Sequence, residues 1–340
     1  MNSINFIHVL RAFAAFLIIN SHSDKLFPAG LSVLGTGGSI GNAIFFFTSG
    51  YTLSLGIRKN TSDYLPWLKK RLVRLYPSFL VFTVFSLLVF KGTYDWYDWL
   101  FFNGSWFLQA IVVYYFLFFP LIKYLDKYLG ILMLVNFLAF ACFFFFTYNH
   151  AKWTIDIMTN PTRVHWVYYF LIMLLGAVVS KNDSIFNRSD KLYLKEQQMN
   201  WFTLLAILVV SVILFYTPKF LFTKLNFDSS IQFIYPILLI IVTYPFYLAS
   251  VRVSSYLKNT PESFVNKSII FVSYLTLDIY IVHFSIIHAI KKSGIVFPVN
   301  YIFALVLILI FSYILNKVSD WLFNLFSEKP NKANQIFRAK

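Results

Sequence analysis

Cysteine is almost missing. The single residue, Cys142, stands in the apolar run FLAFACFFFF. One thiol excludes intramolecular disulfides, thiolate metal clusters and redox pairs, and its apolar neighbours mark it as a packing residue. Charge is scarce as well: Asp, Glu, Lys and Arg make up 13% of the 340 residues, where soluble domains carry about 25%. Acids are the rarest, 14 against 29 Lys and Arg. A repeat at a solenoid period and a low-complexity linker are both absent. The N-terminus lacks a basic n-region and a small-residue cleavage site, so its apolar stretch is expected to stay as the first helix.

What is there is hydrophobic. Apolar residues are 59% of the chain, with 41 Phe and 22 Tyr spread along it. No soluble core hides that much apolar surface, so the expected fold class is an all-α, polytopic transmembrane helix bundle in a lipid bilayer. Runs long enough to cross a membrane fall at 4–23, 38–57, 75–91, 105–122, 128–148, 165–180, 201–217, 231–250, 268–288 and 299–318, about ten spans. The second, opened by GTGGSIGN, is the least apolar. Tyr76 and Pro77 are expected to fix where the third begins. A transmembrane domain over 1–320 and a short basic cytoplasmic tail over 321–340 complete the expectation.

The net charge of +15 reads as membrane topology rather than nucleic-acid binding. Ten spans put both termini on one side. Lys and Arg number 20 in the terminal-side segments 58–74, 123–127, 181–200, 251–267 and 317–340, and 8 in the opposite loops. The positive-inside rule then puts both termini in the cytoplasm.

Ionisable groups inside spans are costly and point to function. Arg11 and His22 lie eleven residues apart in LRAFAAFLIINSHSD, nearly three whole turns. They therefore share a helix face about 16 Å apart, one deep and one near the outer surface. Snorkelling of Arg11 and an interfacial His22 would also explain them. Asp24, two residues beyond, is a candidate orienting partner. Ser49, Gly50 and Tyr51 lie mid-span, where small residues let helices approach closely. Arg71 and Arg74 in LKKRLVRLYP are neighbours if helical. They suit phosphate and equally suit cytoplasmic anchoring. Trp106 is placed at the outer interface. Tyr280 and His283 share a face; Asp278 diverges from His283 by about 140° and needs a partner on another helix or a proton. No metal site is expected.

Together these segments, in order, resemble the acyltransferase-3 family of integral membrane O-acyltransferases. The resemblance rests on Arg11-x10-His22, on Phe46, Phe47, Ser49, Gly50 and Tyr51, on Arg71-x-x-Arg74 running into YP, on the Trp-Phe-Leu at Trp106, and on Ile279, Tyr280 and His283. It implies a stand-alone member moving an acetyl or similar acyl group from cytoplasmic acetyl-CoA to a hydroxyl of a cell-surface glycan or lipid-linked sugar, in a bacterial inner membrane. Arg71 and Arg74 would hold the donor. His22 and Arg11 would be the catalytic pair, His22 as the base and Arg11 lining the donor's path or steadying a polar partner. Asp278 is not a general family feature, and its role stays open. A transporter or flippase for a small anion or lipid-linked sugar is the alternative, since it too needs buried Arg, His and Asp.

Overall fold

The structure is a computed structural model, and it describes residues 5–59, 63–90, 105–147, 163–185 and 200–326. Among the described residues every regular element is helical and none is a strand. Eleven α-helices follow in order: α1 (Phe6–His22), α2 (Gly38–Lys59), α3 (Tyr64–Phe90), α4 (Trp106–Leu125), α5 (Leu129–Cys142), α6 (Arg163–Ile185), α7 (Trp201–Lys224), α8 (Tyr235–Leu257), α9 (Phe264–Tyr274), α10 (Thr276–Lys292) and α11 (Val299–Phe326). The chain divides into two compact units. The first comprises residues 1–38, 65–113 and 257–340; the second comprises 39–64 and 114–256.

In the first unit α1 lies along α9 and α10, and α10 lies along α11. Asn5 caps α1, its side chain accepting the His8 amide. Along the stripe from Arg11 to His22 the intervening Ala15 and Ile18 are buried, while Phe13 and Phe16 face outward. The shared face read from the sequence is therefore the packed face. At the start of α1, His8 Nδ1 lies 2.7 Å from Ser273 Oγ.

In the second unit α2 and α6 meet backbone to backbone. A side chain at Gly50 would collide with the Met173 carbonyl, and one at Gly176 with the Phe47 carbonyl and the Tyr51 amide. Without Cβ atoms the two helices approach closely enough for dispersion contacts along both backbones. At the far end of α2, Arg58 donates from Nε (3.0 Å) and Nη2 (2.7 Å) to Asp126 Oδ1. Lys181 of α6 lies 3.3 Å from the other carboxylate oxygen. Large apolar side chains such as Phe146, Phe202 and Leu205 are exposed, as helices facing lipid require. The protein is a multi-pass membrane protein.

Seven helical stretches are long and apolar enough to span a membrane, or eight if the bent pair α9–α10 counts as one, against the ten expected. Three features account for the difference. First, α1 has only 17 residues, about 26 Å of helix, and falls short of the length of a full span. Second, the expected spans 105–122 and 128–148 fall in one 41-residue helical stretch, Trp106–Phe146. Contacts show it doubling back: Tyr114 donates to the Trp166 carbonyl and Phe140 meets Tyr168, both near the start of α6. Asp126, between them in sequence, instead meets Lys181 near its end. Third, the expected span 268–288 is broken, α9 and α10 meeting at 79°. Leu275 leaves the helix there (ψ 2°). Thr276 Oγ1 donates to the Ser273 carbonyl at 2.8 Å, satisfying a carbonyl that the break deprives of its helical partner.

Pro77 does not open the third span. It lies inside α3, because neighbours and local adjustments re-satisfy the group a proline frees within a membrane helix. Arg71 and Arg74 are consequently on a helix, one turn apart. The tail from 327 onward and most of the loop 181–200 lie outside the described residues.

Candidate active site

The C-terminal end of α1 carries the most distinctive geometry. The helix stops at His22 because Ser23 turns back. Its amide bonds to the Ile19 and Asn20 carbonyls, and its hydroxyl donates to the Ile19 carbonyl at 2.8 Å. His22 is left at the helix end with an exposed side chain. Beneath it lies His283 of α10, the two ring centroids 4.9 Å apart. Phe284 meets His22 edge-on at 5.8 Å. The sequence marked both histidines but not that they touch.

His283 is 4% exposed. Its Nδ1 lies 2.8 Å from the Tyr280 carbonyl and 3.1 Å from that of Ile279. Carbonyls only accept, so Nδ1 carries the proton and the neutral ring keeps a lone pair at Nε2. Nε2 is buried and makes no hydrogen bond. Tyr280 stacks on the fully buried Phe107 at 4.2 Å, and Phe107 meets Trp106 edge-on. Trp106, Tyr280 and His283 thus form one aromatic chain leading to His22. Phe107, the middle residue of the Trp-Phe-Leu motif, is the link, a role that the sequence did not single out for it.

The segment after α1 is stapled over this end. Asn20 Nδ2 donates to the Leu34 carbonyl (2.7 Å) and the Thr36 carbonyl (2.9 Å). Its Oδ1 accepts from Tyr301 at 2.9 Å. Asn300 holds the Leu26 carbonyl at 2.9 Å, and Phe27 rests on Phe297 and Tyr301. Gly37 takes φ +108° directly against Leu17, a left-handed conformation that side chains disfavour. Asp24 sits close enough to His22 for electrostatic interaction. Asn20 was another omission; a lone Asn near a span end is indistinguishable from interfacial decoration.

The other candidates fall elsewhere. Arg11 is half-buried, three turns below His22 on the same stripe. Arg71 is half-buried with its guanidinium 5.6 Å from the Trp67 ring centre, whereas Arg74 is exposed. Ser49 and Tyr51 belong to the second unit, flanking the Gly50 contact. Asp278 is 2% exposed, and Asn316 of α11 donates to its Oδ2 at 2.9 Å. Of the two ways the sequence left open, a partner on another helix or protonation, the structure supplies the partner. Among the described residues no three His, Cys, Asp or Glu side chains gather as a metal site would require.

An exposed imidazole resting on a buried neutral one suits proton transfer to and from a hydroxyl. A family model described as an acyltransferase domain matches residues 4–317. No curated protein and no solved structure matches the chain.

Proposed function

The chain belongs to the acyltransferase-3 family, and from that premise we propose that it moves an acetyl or similar acyl group from cytoplasmic acyl-CoA to a hydroxyl of a cell-surface polysaccharide or lipid-linked sugar. The setting is a bacterial inner membrane with both termini in the cytoplasm, as the loop charges favour. The observation that carries the reading is the His22–His283 pair at the end of α1. His22 takes the proton of the acceptor hydroxyl, and the oxygen attacks the thioester carbonyl. The new C–O bond forms as the C–S bond breaks. The leaving thiolate recovers the proton from the His22 imidazolium, so the proton count closes within the site. An imidazole both takes and returns a proton readily, which suits both halves of that exchange.

Arg71 and Arg74 hold the phosphates of the donor, Arg11 lines or steadies its route, and Trp106, Tyr280 and His283 form the wall behind the base. Ser49 and Tyr51 complete the family pattern in the second unit. The test is direct. Purified protein with labelled acetyl-CoA and glycan fragments is expected to yield labelled ester, and His22→Ala to lose about 100-fold or more of the rate. A His22→Ala protein that acetylates at the wild-type rate, at equal expression, ends the assignment. Changing Arg71 and Arg74 together to Ala is expected to raise the KM for acetyl-CoA. An unchanged KM removes the arginines from the donor site.

A further inference from the structure

The reaction above leaves Asp278 without a task. It lies in the first turn of α10, just past the break, and is buried. One carboxylate oxygen is held by Asn316. The other, Oδ1, is equally buried and accepts no hydrogen bond. Ser312 and Ser319 stand four residues before and three after Asn316, hence on the same face of α11. Their hydroxyl oxygens are also buried and unpartnered, with 0% and 5% of their surface exposed. Ser78 of α3, also buried, is close enough for its hydroxyl to bond the same carboxyl group, and Asp320 is close enough to act on it. A carboxylate oxygen and two hydroxyls on the neighbouring helix, all buried without partners, are expensive in a membrane interior unless something meets them.

Position says what that something is. Ser78 follows Arg71 by seven residues and Arg74 by four, so the three make one stripe of α3. The rise from Arg74 to Ser78 is about 6 Å. Beyond Asp278, His283 comes five residues later, about 7.5 Å along α10, with His22 upon it. The carboxylate therefore lies between the residues assigned to the donor's phosphates and the residue assigned to its acyl end. The part of acyl-CoA that spans such a gap is pantetheine, whose polar groups are one hydroxyl and two secondary amides. Each amide N–H that enters an apolar interior needs an acceptor, and each amide C=O a donor.

We propose that Asp278 Oδ1 accepts a hydrogen bond from a pantetheine amide N–H of the acyl-CoA donor, with the Ser312 and Ser319 hydroxyls available to its amide carbonyls. This rests on the acyl-CoA reading. It makes Asp278 a donor-specificity residue rather than a participant in bond making.

The test compares three donors with the wild-type protein and with Asp278→Asn: acetyl-CoA, S-acetylpantetheine, and S-ethyl thioacetate, which lacks both amides. In Asp278→Asn, kcat/KM is expected to fall about 10- to 100-fold for the first two, through KM, and to stay unchanged for the third. An equal loss for all three donors, or no loss for any, overturns the proposal. Calorimetric titration of the wild-type protein with pantetheine adds a readout independent of the variant's folding. Pantetheine is expected to bind and to compete with CoA, and its failure to do so also overturns the proposal. A wild-type protein that accepts no thioester refutes the acyl-CoA reading itself. The narrower failure shows only with an active wild type.

Discussion

Replacing Gly50 by Ala, with Gly56 to Ala as its counterpart on the same helix, sets two physical terms against each other. Both glycines lie in α2. A Cβ at Gly56 meets nothing within 4 Å, whereas at Gly50 it meets the Met173 carbonyl of α6. Ala in place of Gly inside a helix is favourable by about 1 kcal/mol, and Gly56→Ala is expected to collect that gain. At Gly50 the obstruction is backbone, which cannot swing aside as a side chain can, so the helices must part. Overpacking of this kind costs about 1–3 kcal/mol. The reciprocal contact of Gly176 with the Phe47 carbonyl loosens at the same time and puts the cost toward the upper end. Net of propensity, Gly50→Ala is expected to destabilise by about 1–2 kcal/mol. At about 2–4 °C per kcal/mol for a body of this size, the two variants should straddle the wild type by several degrees. Thermal unfolding in detergent, followed by tryptophan fluorescence and by the folded fraction on size exclusion, measures it. Shifts of the same sign, or a Gly50→Ala protein as stable as the wild type, refute close packing as the reason for this glycine.

Two further outcomes follow from the same contacts. Replacing His283 by Leu removes the ring under His22 but touches nothing assigned to the donor. We expect kcat to fall about 2- to 10-fold, the worth of an aromatic contact, with the KM for acetyl-CoA unmoved; steady-state kinetics separates the two. Asp126→Asn takes the shared carboxylate from Arg58 and Lys181, whose side chains are 18% and 26% exposed. The cost lies between a surface pair and a buried one, about 1–3 kcal/mol. Lys181→Met should cost less, since Arg58 keeps both of its bonds to the carboxylate. Melting curves of the two variants check the order.

How much of this was readable from residues alone depends on which physical constraint speaks. Burial of apolar surface speaks clearly in sequence, so the helices and their class follow from it. Helical periodicity speaks too. It placed Arg11 and His22 on one stripe, and that stripe is the packed face of α1. It placed Tyr280 beside His283, and their rings are 5.6 Å apart. Local rules failed where the membrane relaxes them. Pro77 continues a helix that it was expected to open. Hydropathy runs unbroken across Leu275, so the kink between α9 and α10 was invisible to it. The only local hints were the Ser273 and Thr276 hydroxyls, which also occur in unbroken helices.

Pairing between distant segments is the harder matter. In water an apolar stripe identifies the inward face of a helix. In lipid both faces are apolar, and nothing in Phe284 or Phe107 tells which one meets a neighbour. The polar residues are different, because lipid cannot satisfy them. Each intramembrane Asp, His or Asn carries a demand for a partner that is legible without a structure. The structure then shows how far the demand is met. For Asn20 the accounting is complete, since both ends of its amide are engaged. For Asp126 it is complete through two cations, residues the sequence had counted only as loop charges. For Asp278 and His283 it stops half-way, with Oδ1 and Nε2 buried and unmatched. The two unmatched atoms sit on one helix, on either side of Tyr280, and other buried atoms of the molecule are unmatched too. An unmet demand is therefore not by itself a substrate site. The comparison of donors with Asp278→Asn is what distinguishes an oxygen that a substrate amide meets from one that only costs stability.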